Sequence, residues 1–481
     1  MITTSGKLYR LFGLLLCASS VSSSLHAQSR QLSPKQQRAR AIYKQLVEIN
    51  TVDSVGSATK AARAMAVRFL AAGFPARDVR VLVPKGKPAK GNLIVRYRGR
   101  ADAREKPILL LAHLDVVAAN RADWPRDPFT LHEENGFFLG RGVSDDKAMA
   151  SMFVANLLEM RQEKVVPSRD IILALTADEE GGDANGVQFL VALHKELIDA
   201  AYAINEGGGG TLLDGRYLSH SIQAAEKVPE DITLTATNTG GHSSVPRPDN
   251  AIYSLMEAIR RIASHTFPVD LNPVSREFFA QSSAVEPNPA LAAAMRALAA
   301  NSGDSNAARV LSAVPTFNSI MRTTCVATRL SGGHAYNALP QSASANINCR
   351  IVPTSSGEAT VAELKRVIGD TSISVSWTMS EREIFPTSSI QIVPELLAAA
   401  TDLTKSMFGN IPVVPSMSTG ATDGRFLRAA GIPTYGVSGI FSVRGETNAH
   451  GRDEKLRVKS YYEGLEFLDK LVRRLTARAG T

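Results

Sequence analysis

Pro-Ile-Leu-Leu-Leu-Ala-His-Leu-Asp, residues 107–115, is an apolar run that ends on two polar side chains, His113 and Asp115. A strand with one wet face would alternate polar and apolar positions. A continuous apolar stretch of this length instead fits a central strand covered on both sides. Similar apolar segments lie near 92–97, 169–176 and 200–204, separated by amphipathic stretches such as 146–162. That alternation of strand and helix predicts an α/β domain. Residues 128–140 read as a hairpin turning at Asn135-Gly136.

The pattern changes after about residue 220. A strand at 231–238, a helix at 250–264, strands at 320–330 and 343–351, a helix at 357–368 and a strand at 371–377 follow in order. This is a βαββαβ, ferredoxin-like unit. Between its first helix and second strand lies an Ala- and Pro-rich excursion, 265–319, with a helix expected at 288–301. From about 388 the earlier style resumes, with helices near 394–408 and 459–477 and a strand near 433–437. The predicted organisation is therefore a mixed-sheet α/β domain, 28–220 and 387–481, interrupted by a smaller inserted domain, 221–386.

Residues 1–27 stand apart. Lys7 and Arg10 precede an apolar run, Leu11–Leu16, and small residues lead to Ala27. This fits a secretory signal peptide, too short to span a bilayer, and predicts an exported, periplasmic or secreted chain. Without Lys7 and Arg10 the formal charge of +8 falls to +6, and the remaining basic residues are scattered. Nucleic acid and, after cleavage, membrane are not expected partners. Cleavage also leaves two of the three cysteines, Cys325 and Cys349, too few for a cysteine-based metal site. They fall on two strands expected to pair, so a cross-strand disulfide is expected.

His113-Leu114-Asp115 alone is more readily a hydrogen-bonded core histidine than a site. Gly140-Arg141-Gly142-Val143-Ser144-Asp145-Asp146-Lys147 leads into a helix, and its acids could simply cap it. Asp178-Glu179-Glu180 closes the strand at 169–176, and Asn205-Glu206-Gly207 closes the next. Consecutive acids at a sheet end repel one another unless a cation sits there. Three successive strands thus each deliver His, Asp or Glu to a strand end, where α/β sites form. His450, in His450-Gly451-Arg452-Asp453-Glu454, adds a further nitrogen donor. Imidazole and carboxylate are zinc ligands, and a carboxylate shared by two ions builds a two-metal hydrolytic centre.

At this point the chain resembles the two-zinc aminoacylase and carboxypeptidase family, which includes bacterial glutamate carboxypeptidase, succinyl-diaminopimelate desuccinylase and carboxypeptidase S. The likeness spans nearly all of the mature chain, with separated motifs in the family order. It implies two zinc ions per subunit, or other divalent metals, with His113, Asp145, Glu180, Glu206 and His450 as ligands and Asp145 bridging. Asp115 would orient His113, and Glu179 would be the general base. The inserted domain would be a lid, and His242, in Gly240-Gly241-His242-Ser243-Ser244, would stabilise the oxyanion. Asn337 and Arg350 resemble lid residues that contact substrate. Arg425, in Gly420-Ala421-Thr422-Asp423-Gly424-Arg425, resembles the group that grips a substrate carboxylate. Ala148 departs from the glycine that many relatives carry after the lysine.

The implied activity is hydrolysis of the amide bond of small peptides or N-acyl amino acids with a free carboxylate. A non-catalytic exported peptide-binding protein and an aminopeptidase or dipeptidase of the same family are the alternatives. The resemblance also raises a homodimer through the smaller domain, with the lid histidine reaching the neighbouring site, unless 265–319 replaces or blocks that contact.

Overall fold

The computed structural model describes residues 31–378, 391–443 and 445–477. The expected signal segment, 1–27, and the expected boundary at 386/387 lie outside them. Ile108–His113 is the centre of a ten-stranded mixed sheet. Ile171–Thr176 and Tyr202–Asn205 flank it, both parallel, and Thr434–Gly436 continues the parallel block. Asn92–Tyr97 pairs antiparallel outside Ile171–Thr176, and the long strand Arg216–Glu226 begins the antiparallel part on the other side. Because the central strands are parallel, their carboxyl ends lie on one edge of the sheet.

The continuous apolar run is explained by its two faces. Ile108, Leu110 and Ala112 join the main core, under helices that include Pro34–Glu48, Lys147–Gln162 and Val458–Leu475. Leu109 and Leu111 point the other way, into a cluster with Ile172, Val187, Leu190 and Leu427. Neighbouring residues of a strand face opposite sides, so a strand covered on both needs apolar residues at every position. The hairpin forms as predicted, His132–Glu134 against Phe137–Leu139, turning through Asn135 and Gly136 at positive φ. No helix among the described residues is long and apolar enough to cross a membrane.

A second, antiparallel sheet has the order Thr324–Gly332, Ser342–Ile351, Val228–Thr237, Ser374–Trp377. Helices Ala251–Ser264 and Gly357–Ile368 cover one face, with Leu255, Ile262, Leu364 and Ile368 packed on Ile232, Leu234, Ala345 and Ile347. This is the expected βαββαβ unit, with strands of the large sheet before and after it in sequence. Cys325 and Cys349 lie opposite each other in its ladder and form a disulfide.

Two expectations are corrected. The boundary at 220/221 falls inside Arg216–Glu226, which remains a strand of the large sheet to its end. The excursion 265–319 contains four helices rather than one: Pro273–Ser282, Pro289–Ala300, Ser305–Ser312 and Pro315–Met321. Asn272, Asn288 and Asp304 cap the first three, and proline opens the first, second and fourth. The last of these helices occupies the first positions of the strand expected at 320–330. Phe279, Leu298, Leu311, Phe317 and Met321 join the core of the large sheet. The excursion is thus flanked by elements of the small sheet yet packs with the large one.

Candidate metal centre

His113 is the last residue of the central strand and is buried; Glu179, Glu180 and Glu206 follow the ends of the two neighbouring parallel strands. Asp145 arrives from the loop between the hairpin and helix Lys147–Gln162. His113 Nδ1 donates to the main-chain oxygen of Asp115 at 3.0 Å, which turns Nε2 toward Asp145 Oδ1 at 2.9 Å. The other oxygen of Asp145 lies 3.1 Å from His450 Nε2. Glu206 approaches His113 Nε2 at 3.9 Å, and Glu180 lies 3.0 Å from His450 Nε2. Asp145 therefore stands between two half-sites, His113 with Glu206 and His450 with Glu180. Ligand atoms of His113, Glu179 and Glu206 lie within 4.8 Å of one another, which puts Glu179 beside the first half-site.

The charge balance shows what the cluster fits. Burial, reinforced by Asp423, Glu180 and Asp145 against the pull of His113, raises the Glu179 carboxyl to about 8. Burial and Asp145 raise Glu180 to about 7, and burial holds Glu206 well above its ordinary value. Burial opposes a proton on His113, but Glu206 and Asp145 outweigh it and hold the imidazole well above its usual value. The contact with Asp145 lifts His450 to about 9. Four carboxyl groups crowd two imidazoles, so their full ionisation would leave uncompensated negative charge, and the donors are nitrogen and oxygen only. Divalent cations fit such a set.

Asp115 both contacts His113 and anchors the neighbouring turn. Its carbonyl, not its carboxylate, orients His113; the carboxylate accepts the main-chain N–H groups of Glu179 at 3.1 Å and Glu180 at 2.9 Å. The carboxylate thus fixes the turn that carries both glutamates. Asp178, the first acid of that run, points away to Lys90 at 2.5 Å. Asp423 is buried behind the turn, accepting from Asn185 at 2.6 Å. These anchors lie inside motifs quoted above, yet nothing in the sequence separates an acid that faces the cluster from one that faces a lysine.

The loop Gly420–Arg425 is pinned by Glu226, which accepts from the Thr422 N–H at 3.0 Å and hydroxyl at 2.9 Å and pairs with Arg428. Arg425 lies over the ring of Phe426, 4.6 Å from its centroid. Arg350 is half-buried; burial lowers its pKa against the opposing pull of Asp231, and the nearby Arg425 adds a smaller lowering. His242 and Asn337 are exposed on the short ladder Gly241–His242 with Ala338–Leu339, where the Ser243 N–H donates to the Asn337 carbonyl. His242 Nδ1 contacts Ser244 Oγ at 2.7 Å, and among the described residues no hydrogen bond or ion pair joins it to the donor cluster.

Residues 109–474 match the model of peptidase family M20/M25/M40. The chain belongs to this family. It is 29% identical over 396 residues to a probable carboxypeptidase S-like 2 of Dictyostelium discoideum, covering 80% of this chain and 74% of the relative. It is 26% identical over 393 residues to human N-fatty-acyl-amino acid synthase/hydrolase PM20D1, covering 77% of this chain and 74% of the relative. An M20 family metallo-carboxypeptidase of Sulfolobus solfataricus, Sso-CP2, shares the fold. Its TM-score is 0.66 at 17% identity, over 90% of this chain and 98% of that one. As a family member the chain is a hydrolase, with a donor cluster for metal at the carboxyl edge of its parallel strands.

Proposed function

We propose that this hydrolase uses two zinc ions to cut the amide bond of small peptides or N-acyl amino acids that carry a free carboxylate. The observation that carries the reading is Asp145 set between His113 and His450, one oxygen to each imidazole. His113, Glu206 and Asp145 would hold one ion, and His450, Glu180 and Asp145 the other. When bound, such a pair supplies the acidity that readies a water near neutral pH and polarises the scissile carbonyl. Glu179, beside the first half-site, takes the proton of that water and returns it to the leaving nitrogen.

Arg425 offers a planar fork for the substrate carboxylate, on a loop fixed by Glu226. Arg350, close enough to Arg425 for their charges to repel, supports an anion-binding space between the two sheets. The smaller sheet, Val228–Trp377 without the excursion, serves as the lid and carries His242 for the oxyanion and Asn337 for substrate. His242 has no described contact with the cluster of its own chain, which fits delivery to a neighbour in a homodimer. Strand Thr324–Gly332, at the edge of its sheet among the described residues, supports that assembly. Val326 and Leu330 are exposed on it, Tyr253 and Met256 are exposed on the adjacent helix, and the excursion packs elsewhere. Unpaired apolar edges of this kind invite a second strand. Residues 1–27 would direct export, and the Cys325–Cys349 disulfide fits an oxidising compartment.

The test is amine release from a panel of N-acyl amino acids and dipeptides, with zinc or with a chelator. Release that stops with chelator and when the substrate carboxylate is amidated supports both the metal and Arg425. Release that persists with amidated substrates would remove the carboxylate role. Faster cleavage of substrates with a free amino terminus than of blocked ones would favour an aminopeptidase.

A further inference from the structure

Arg141 and Glu454 take no part in the proposed chemistry, yet both are buried directly beneath it. They lie 313 residues apart in sequence and 2.8 Å apart in space. Phe137–Leu139 pairs antiparallel with Lys455–Arg457, Leu139 opposite Lys455, and the Gly140 N–H donates to the Glu454 carbonyl. The loop carrying Asp145 and the loop carrying His450 therefore spring from one end of a single ladder.

Every lone-pair direction of the Glu454 carboxylate is used. Oε1 accepts from Ser144 N at 2.7 Å and Asp145 N at 3.1 Å; Oε2 accepts from Gly142 N at 3.0 Å and from Arg141. Arg141 in turn donates to the carbonyls of His450 at 3.2 Å and Gly451 at 3.0 Å and stacks on Trp124. The loop it holds is an unfavourable one. Asn448, His450 and Asp453 all have φ near +50 to +65°, and a Cβ on Gly451 would sit 2.6 Å from the Asn448 side chain. Left-handed backbone at ordinary residues persists only where the surroundings over-determine it. His113, by contrast, is fixed by the central strand.

We propose that the Arg141–Glu454 pair is a positioning device that sets the distance between Asp145 and His450, and so the affinity of the metal position those two share with Glu180. The inference rests on the two-metal reading. The measurement is zinc titration of the metal-free full chain against a competing chelator, for wild type, Glu454→Gln and Arg141→Lys. Glu454→Gln keeps the volume but sets an NH₂ against main-chain N–H donors. Arg141→Lys keeps the charge and loses the fork that reaches His450 and Gly451.

Wild type is expected to take up two ions. In each variant one ion should bind nearly as before and the other about ten- to a hundred-fold more weakly. The melting temperature of the metal-free variants should fall, because one partner of a buried pair is lost, so the readout is the ratio of the two zinc affinities. Variants that bind both ions like wild type overturn the inference. Equal weakening of both ions also overturns it, since that marks a general buttress. A wild type that binds no zinc removes the two-metal reading itself.

Discussion

The main chain turns through a left-handed residue at Asp178, φ 59°, and that turn separates three consecutive acids. Asp178 goes to Lys90, Glu179 faces the first half-site and Glu180 reaches His450. Glu179→Ala should lower turnover by roughly 10²- to 10⁴-fold, the usual worth of a positioned proton acceptor, with metal content unchanged. Metal analysis beside steady-state kinetics checks this. Turnover near wild type with both metals present would exclude Glu179 as the base.

His220, in strand Arg216–Glu226, offers a separate test. It is wholly buried, with Nε2 toward the Ser438 carbonyl and Nδ1 2.7 Å from the Thr404 hydroxyl. Burial lowers its pKa to about 4, against an ordinary value of 6.5. Between those values the unfolded chain binds a proton that the folded one does not, so stability falls as pH drops from 6.5 to 4. The loss is about 3 kcal/mol for this group. Denaturant unfolding with chelator present, at pH 7 and 4.5, should show a smaller drop for His220→Gln than for wild type. Equal drops would refute the assignment.

Among the elements, the excursion 265–319 changes the reading most. Its helices are short, about two to three turns each, so periodicity has few repeats to register, and capping and proline signals mark their starts. Where they pack was not legible, because Phe279 and Phe317 do not name the sheet they cover. Phe279→Ala should cost about 3–5 kcal/mol. The loss should appear in the unfolding of the large unit, followed by hydrogen exchange in strand Val413–Ser418, against which helix Pro273–Ser282 packs. Loss confined to the small sheet would contradict the packing described. The disulfide is the converse case, since the two strands and their pairing were readable and the register sets Cys325 opposite Cys349. Alkylation without reductant should leave both thiols unmodified, and reduction should lower stability by about 2–4 kcal/mol. Two alkylated thiols in the unreduced protein would rule the bond out.

At the scale of the whole molecule, the exposed edge strand and the isolated His242 lead to one experiment. If a homodimer supplies His242 to its neighbour, mixing inactive Glu179→Ala with inactive His242→Ala should restore part of the turnover through hybrid sites. Val326→Lys with Leu330→Lys should give a monomer by sedimentation and abolish that rescue. A monomeric wild type with full activity would dismiss the dimer.

The sequence by itself determined the layering and which His, Asp and Glu side chains gather at the carboxyl edge of the sheet. Apolar runs specify strands buried on both faces, and strand ends of a parallel sheet gather on one edge whatever the loops do. Tertiary structure alone decided how those residues divide their tasks. That Asp115 ties down a turn as well as orienting an imidazole, and that Glu454 meets an arginine 313 positions away, follows from loops brought together in the folded chain. Local composition carries the strand and the turn, whereas a buried ion pair between loops exists only once the chain has closed around it.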